Sequence, residues 1–146
     1  MKYFKKLLFT TLFIFPVSSF ADGIAAALYK NPNCGCCAEH ANYLEDNGFD
    51  VKVIETNDLA QFKVDHNVTK KLYGCHSTLI GDYIFEGHVN AESIKKVLEN
   101  NPSIKGLSVP GMPLGSPGMG GEKQGPIEVY TLTSQPTDSP EVYATY

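Results

Sequence analysis

The fold of this chain is decided by the stretch IAAALYKNPNCGCC at residues 24–37. Its first six residues form a continuous apolar run, which predicts a buried strand, and the Asn-Pro-Asn triplet is a loop signature that ends it. Beyond the cysteines, Ala41 and Leu44 recur at helical spacing, and Gly48 stands where the C-cap of a helix belongs. The stretch therefore predicts a strand, a tight loop and a helix, with three cysteines on the first turn of that helix.

Further strands and helices are predicted along the chain. Residues 49–54 alternate apolar and polar side chains and predict a second strand, which is parallel to the first because a helix connects the two. A short capped helix follows. Residues 77–80 and 83–85 are apolar runs separated by Gly-Asp, which is the spacing of a β-hairpin. Asn90 caps a last helix that ends near residues 100–102.

The composition changes after this helix. Residues 106–125 hold seven glycines and three prolines, including two Pro-Gly-Met units that contain Met112 and Met119. A Gly/Pro-rich segment of this length is usually functional or a linker. Residues 127–132 alternate like a strand, so we expect the chain to return to the sheet and the loop to fold over the cysteine turn. The Ser/Thr/Pro-rich residues 133–146 predict a disordered tail.

The order of these elements resembles the thioredoxin-like fold. The fold predicted for residues 22–132 is thus α/β, a mixed central sheet flanked by helices, with a Gly/Pro/Met-rich loop and an extra C-terminal strand. In that fold the loop before the third strand packs beside the cysteine turn, so the resemblance implies that Cys75 joins the other three cysteines in space. Thioredoxin-like oxidoreductases also carry a cis-proline in this loop, whereas residues 65–84 contain no proline. We therefore expect no clamp for substrate peptides.

Size and charge restrict the classes of function. The chain has 146 residues and a mass of 16.0 kDa, and its 12 cationic residues, all lysines, face 16 acidic residues for a net charge of -4. This length suits one domain. Because the chain lacks the basic surface that binding to a phosphate backbone needs, nucleic acid is not an expected partner.

The first 21 residues predict a secretory signal peptide. Three lysines precede a mostly apolar stretch at residues 7–15, and Ser19-Phe20-Ala21 places small residues before a cleavage site. The apolar stretch is short for a membrane span, and Pro16 interrupts it. We expect cleavage after Ala21 and an exported protein without a membrane span.

Export bears on the cysteines, because four cysteines in an oxidising compartment can form two structural disulfides in three pairings. The spacing argues against simple cross-links, since a bond between the adjacent Cys36 and Cys37 would be strained. Cys34 and Cys37 have the separation of a Cys-x-x-Cys redox motif, and the first turn of a helix stabilises thiolate. These two residues are the predicted redox-active, catalytic pair, and the two-disulfide alternative stays open.

The cysteine cluster also suits a metal. Thiolate and thioether are soft ligands that favour Cu(I). Three cysteines within four residues crowd one tetrahedral centre but allow a thiolate to bridge two ions, so we expect a site for more than one Cu(I). The candidate ligands are Cys34, Cys36, Cys37, Cys75, His76, His88, Met112 and Met119. By contrast, His40 falls on the same helix face as Cys37, within reach of the cluster, but is expected to be a surface residue of its helix, and His66 is expected to be solvated at a helix end.

Four ordered motifs carry a resemblance to a known family. They are Asn33-Cys34-Gly35-Cys36-Cys37, Gly74-Cys75-His76, Glu86-Gly87-His88-Val89 and the stretch from Pro110-Gly111-Met112-Pro113 to Gly118-Met119. Together they resemble the CopG-type periplasmic copper-resistance proteins, a thioredoxin-like family associated with copper detoxification in Gram-negative bacteria. The resemblance implies copper binding through the clustered cysteines and a location in the periplasm.

Two functional hypotheses follow. The first is a periplasmic copper-binding protein for copper resistance, which holds Cu(I) in a thiolate-rich, multinuclear site and interconverts Cu(I) and Cu(II) if Cys34 and Cys37 store electrons. The second is a metal-free periplasmic thiol-disulfide oxidoreductase. The expected partners are copper ions and other periplasmic copper-handling or thiol-redox proteins. The sequence does not decide whether the protein turns over as a copper oxidoreductase.

Overall fold

The computed structural model describes residues 23–135 and 140–146. The signal peptide predicted at residues 1–21 lies outside the described residues and stays a prediction. The elements in chain order are β1 (Ile24–Lys30), α1 (Gly35–Asp46), β2 (Phe49–Glu55), α2 (Leu59–Asp65), β3 (His76–Ile80), β4 (Tyr83–Gly87), α3 (Ala91–Asn100), β5 (Gly106–Val109), β6 (Glu128–Leu132) and β7 (Val142–Thr145). No helix within the described part of the chain has the length and apolar character needed to cross a membrane.

The strands form one mixed sheet in the order β2-β1-β3-β4-β5-β6-β7. Strands β1 and β2 pair in parallel, as do β4 and β5, whereas the other neighbours are antiparallel. The parallel β1–β2 pair requires a crossover, and α1 supplies it. The predicted α/β class with a mixed central sheet is therefore confirmed.

Helices cover both faces of this sheet. On one face Leu44 of α1 and Ile94 of α3 pack with Phe85 and Leu107 of the sheet in the largest apolar cluster. On the other face Phe62 of α2 packs against a smaller cluster that contains residues of β4 and β6. The cysteine turn at the start of α1 forms a third, small cluster at one end of the sheet.

Local sequence patterns correctly predicted the positions of several elements. The β3–β4 hairpin turns through Gly81, whose φ of +57° lies in the left-handed region that favours glycine. The side chain of Asn90 accepts a hydrogen bond from the backbone N–H of Ser93 and so caps α3. Both features match the sequence predictions.

Strand β5 was not predicted, because it lies within the Gly/Pro-rich stretch. Leu107 and Val109 are fully buried between β4 and β6. Gly106 has φ +151°, and a Cβ there would strike the carbonyl group of Ile84. The glycine is thus required by close strand pairing and does not indicate a loop.

The prediction of a disordered tail at residues 133–146 is wrong for residues 140–146. Strand β7 pairs antiparallel with β6, and Tyr143, Ala144 and Tyr146 pack against the main core. The Tyr146 hydroxyl also donates a hydrogen bond to the carbonyl oxygen of His88, at 3.3 Å. Burial of the Tyr143 and Tyr146 rings against the core stabilises this strand, although the segment that precedes it is polar.

Candidate metal centre

The start of α1 presents three cysteines at the edge of the core. Cys34 is the N-cap residue, and its backbone N–H donates to the Asn31 carbonyl at 3.1 Å. Cys37 is fully buried against Leu28 and Ala41, whereas Cys34 and Cys36 are half-buried. The helix turn therefore places one sulfur in the protein interior and two nearer the surface.

Cys75 joins these cysteines from the loop before β3. Its Sγ lies 4.0 Å from the Sγ of Cys36, and its carbonyl oxygen lies 3.7 Å from the Sγ of Cys37. The four sulfur atoms all lie within 4.8 Å of one another. The structure thus brings Cys75 to the helix turn, as the resemblance to the thioredoxin-like fold implied.

Cys34 and Cys37 form a disulfide, while Cys36 and Cys75 are free. This is the local pair that the spacing favoured. The two-disulfide arrangement would also require a bond between Cys36 and Cys75. It is not adopted, because these two sulfur atoms lie 4.0 Å apart. In this state two of the four cysteines keep their thiols.

A buried ion pair holds the loop that carries Cys75. Glu86 of β4 pairs with Lys63 of α2, and both side chains are shielded from solvent. Glu86 also accepts hydrogen bonds from the Gly74 N–H at 2.8 Å and the Ser77 hydroxyl at 2.5 Å. Lys63 donates to the Gly74 carbonyl at 2.9 Å. Both backbone groups of Gly74 are therefore satisfied within the chain.

Two histidines approach the sulfur of Cys75. The Nδ1 atom of His76 lies 3.2 Å from it, and the Nε2 atom of His88 lies 3.1 Å from it. His88 Nδ1 lies 2.6 Å from the carbonyl oxygen of Pro117. Cys75, His76 and His88 thus form a second group able to hold a metal ion, and this group shares Cys75 with the cysteine cluster.

The expected surface position of His40 is wrong. His40 is 1% exposed, with Nε2 3.0 Å from the Val89 carbonyl oxygen and Nδ1 2.8 Å from Nε2 of His76. It shares the buried face of α1 with Cys37, Ala41 and Leu44. By contrast, His66 is half-buried at the end of α2 and stacks on Phe62.

Burial controls the protonation of the groups around Cys75. It lowers the pKa of His40 to about 3, with the nearby His88 adding to the effect, and lowers the pKa of His76 and of His88. Burial, together with the neighbouring Cys36, raises the pKa of Cys75 to about 12, while Lys63 acts in the opposite direction. The imidazoles are therefore neutral near pH 7, which is the form that binds metals.

The Gly/Pro/Met-rich loop folds over this site. Besides the contact of Pro117 with His88, a Cβ on Gly118 would collide with the backbone of His40, so the loop rests directly on α1. Met119, the next residue, is half-buried. Met112 is 58% exposed and follows Gly111, whose backbone pairs with Gly74. The loop position matches the prediction, and ligand roles for both methionines stay predictions.

Three residues of the site were missed as site residues by the sequence analysis: His40, Lys63 and Glu86. A signal existed for His40, because it falls on the same helix stripe as Cys37 and Ala41. A signal also existed for Glu86, since a carboxylate in an otherwise apolar strand must find a partner. Nothing in the sequence marks Lys63 as that partner.

The chain is similar to known proteins over much of its length. Residues 72–119 match a family described as "Protein of unknown function, DUF411". A solved structure named "Copper resistance protein copG- Form 2" is 36% identical, with a TM-score of 0.78 over 86% of this chain and 99% of the other. Form 1 of that protein is also 36% identical, with a TM-score of 0.77 over 86% and 98%. No curated protein matches the chain. The identity and the coverage show that this chain belongs to the CopG family of copper resistance proteins, which its four motifs predicted.

Proposed function

We propose that the protein binds copper ions for copper resistance, using the sulfur atoms of its four cysteines and the imidazoles of His76 and His88. The observation that carries this proposal is the pair of donor groups that meet at Cys75. Thiolate sulfur and neutral imidazole nitrogen are ligands suited to copper, and thiolate favours Cu(I). All six side chains already converge, so once the Cys34–Cys37 disulfide is reduced little reorganisation is needed to bind a metal.

The same arrangement supports a site for more than one Cu(I). One group consists of the four cysteines, and the other consists of Cys75, His76 and His88. A thiolate at Cys75 belongs to both groups and can bridge two ions. Met112 and Met119 stand on the loop that covers the site and are the proposed additional soft ligands.

The Cys34–Cys37 pair supplies a route to redox chemistry with copper. Two thiols that join in a disulfide release two electrons and two protons, and two Cu(II) ions that take up these electrons become two Cu(I) ions. The disulfide then removes two sulfur ligands from the four-cysteine group, while Cys75, His76 and His88 are unaffected. Copper binding and the redox state of Cys34 and Cys37 are therefore coupled.

The proposed location is the periplasm, after cleavage behind Ala21. Copper ions are the proposed substrates or cargo. A periplasmic thiol-redox protein would return the Cys34–Cys37 pair to the dithiol state, and other copper-handling proteins would deliver or receive the ions. Cys34 is the sulfur through which a thiol donor would act, because Cys37 is fully buried.

A metal-free thiol-disulfide oxidoreductase is the second candidate, and the disulfide at the start of α1 favours it. Two features weigh against it. Residues 65–84, which include the loop before β3, contain no proline, whereas thioredoxin-like oxidoreductases carry one there. The backbone groups of Gly74 are bonded to Glu86 and Lys63, so they are not free to pair with a substrate peptide.

The test is a Cu(I) titration of anaerobically reduced protein against a competing Cu(I) chelator. We expect two or more equivalents to bind; saturation at one equivalent with four free thiols would contradict the site for more than one Cu(I), and no binding at all would contradict the proposed function. Zn(II) competition serves as a specificity control, since zinc also accepts Cys and His ligands. His66→Ala is the matched control variant, and insulin reduction by the metal-free protein tests the second candidate.

A further inference from the structure

The hydrogen-bond direction at His40 follows from its partner on the sheet side. The carbonyl oxygen of Val89, 3.0 Å from Nε2 of His40, can only accept a hydrogen bond. The Nε2 atom of His40 must therefore carry the hydrogen. His40 is buried, and its two ring nitrogens face only the Val89 carbonyl and the imidazole of His76, so no carboxylate supports a charge on the ring. The Nδ1 atom of His40 therefore bears a lone pair and can only accept.

That lone pair in turn determines the tautomer of His76. The Nε2 atom of His76 lies 2.8 Å from Nδ1 of His40, so it must be the donor. The opposite tautomer would set two lone pairs against each other at this distance, in a site where both rings are buried from solvent. A neutral His76 that carries hydrogen on Nε2 has its free lone pair on Nδ1.

We propose that His40 is a positioning residue. It is held by its hydrogen bond to the Val89 carbonyl, it fixes the tautomer of His76, and it thereby directs the Nδ1 lone pair of His76 at the Cys75 sulfur. The Nδ1 atom lies 3.2 Å from the Cys75 sulfur. His40 itself touches neither this sulfur nor the cysteine turn through its ring nitrogens, since both nitrogens are already engaged.

An independent contact also directs a lone pair of His88 at the Cys75 sulfur. Its Nδ1 atom must donate to the Pro117 carbonyl, so the lone pair on Nε2 faces Cys75 at 3.1 Å. The Cys75 thiol has one hydrogen and can satisfy only one of two lone pairs. One lone pair is therefore left without a hydrogen and is available to a metal cation, and His40 fixes the direction of one of the two lone pairs.

The test begins with the metal-free, reduced protein and reads the tautomer of His76 by long-range 1H–15N correlation NMR. We expect the Nε2–H tautomer in the parent protein. In His40→Phe, which keeps a buried ring but offers no acceptor, we expect a mixture of tautomers at His76. The control variant His66→Phe should leave the tautomer of His76 unchanged.

The effect on copper rests on the proposed function and is measured separately. Loss of a group that orients a metal-binding histidine typically weakens metal affinity by about 10–100-fold, and we expect this for His40→Phe. His40→Gln, whose amide can both donate and accept, should restore part of the affinity and covers the case in which His40→Phe does not fold.

The Nδ1–H tautomer at His76 in the parent protein would overturn the inference. So would an unchanged Nε2–H tautomer in folded His40→Phe. A parent protein with the expected tautomer but no copper affinity would instead contradict the proposed function and leave the role of His40 in orienting His76 intact.

Discussion

Glu86→Gln should destabilise the protein strongly, because it removes the negative charge from a buried ion pair. Glu86 is fully buried, and Lys63 is 3% exposed. A glutamine of similar shape can still accept a hydrogen bond from Gly74, but it leaves the ammonium group of Lys63 buried without a counter-ion. Breaking a buried pair in this way typically costs about 3–5 kcal/mol, a large part of the roughly 5–15 kcal/mol that stabilises a typical domain.

The assay is urea unfolding at pH 7 of the parent, of Glu86→Gln, of Lys63→Met and of the double variant. The double variant removes both charges, so its loss should be smaller than the sum of the single losses by about 1 kcal/mol or more. Glu99→Gln is the control, since Glu99 is exposed on α3 and its replacement should change stability by less than about 0.5 kcal/mol. A loss below about 1 kcal/mol for Glu86→Gln, or single losses that simply add, would refute the reasoning.

Three further predictions concern the same site. First, the free energy of unfolding should fall as the pH drops below 6.5. Burial lowers the pKa of His40 to about 3 in the folded protein, so the unfolded chain binds the proton at a higher pH than the folded chain does. The stabilisation that is present above pH 6.5 is therefore lost progressively toward pH 3. Between pH 7 and pH 5, His40 alone should lower the free energy of unfolding by about 2 kcal/mol. Equal urea midpoints at the two pH values would contradict this. Second, Cys75→Ser should lower Cu(I) affinity as much as Cys36→Ser does, because both sulfurs belong to one cluster; a chelator competition that gives parent-like affinity for Cys75→Ser would disprove it. Third, anaerobic oxidation of reduced protein by Cu(II) should yield a disulfide between Cys34 and Cys37 and generate Cu(I); peptide mapping that finds Cys34 joined to Cys75, or four free thiols without Cu(I), would leave passive binding only.

The parts of the fold that the sequence predicts are those with local signals. Helix α1 follows from the spacing of Ala41 and Leu44, and the β3–β4 hairpin follows from its Gly-Asp turn. Strands β5 and β7 lack such signals. Leu107 and Tyr143 pack in a core whose other members come from distant parts of the sequence, so burial decides these elements and local composition does not predict them.

The candidate site divides in the same way. The convergence of Cys75 with the helix turn is predictable once the order of the elements is known. The burial of His40 and the pairing of Lys63 with Glu86 depend on how α1 and α2 pack on opposite faces of the sheet. Such contacts join residues that no spacing rule connects, and a sequence alone offers only the apolar stripe of a helix or an acid within a strand as a hint.

The central claim, that several copper ions share the sulfur atoms of one cysteine cluster, is tested most directly by X-ray absorption spectroscopy at the copper edge. The sample is reduced protein loaded with Cu(I) to its measured capacity. The account predicts a first shell dominated by sulfur together with a copper–copper scattering shell, because the donor groups share Cys75. A first shell of nitrogen and oxygen only, or a sulfur shell without copper–copper scattering at full loading, would contradict it.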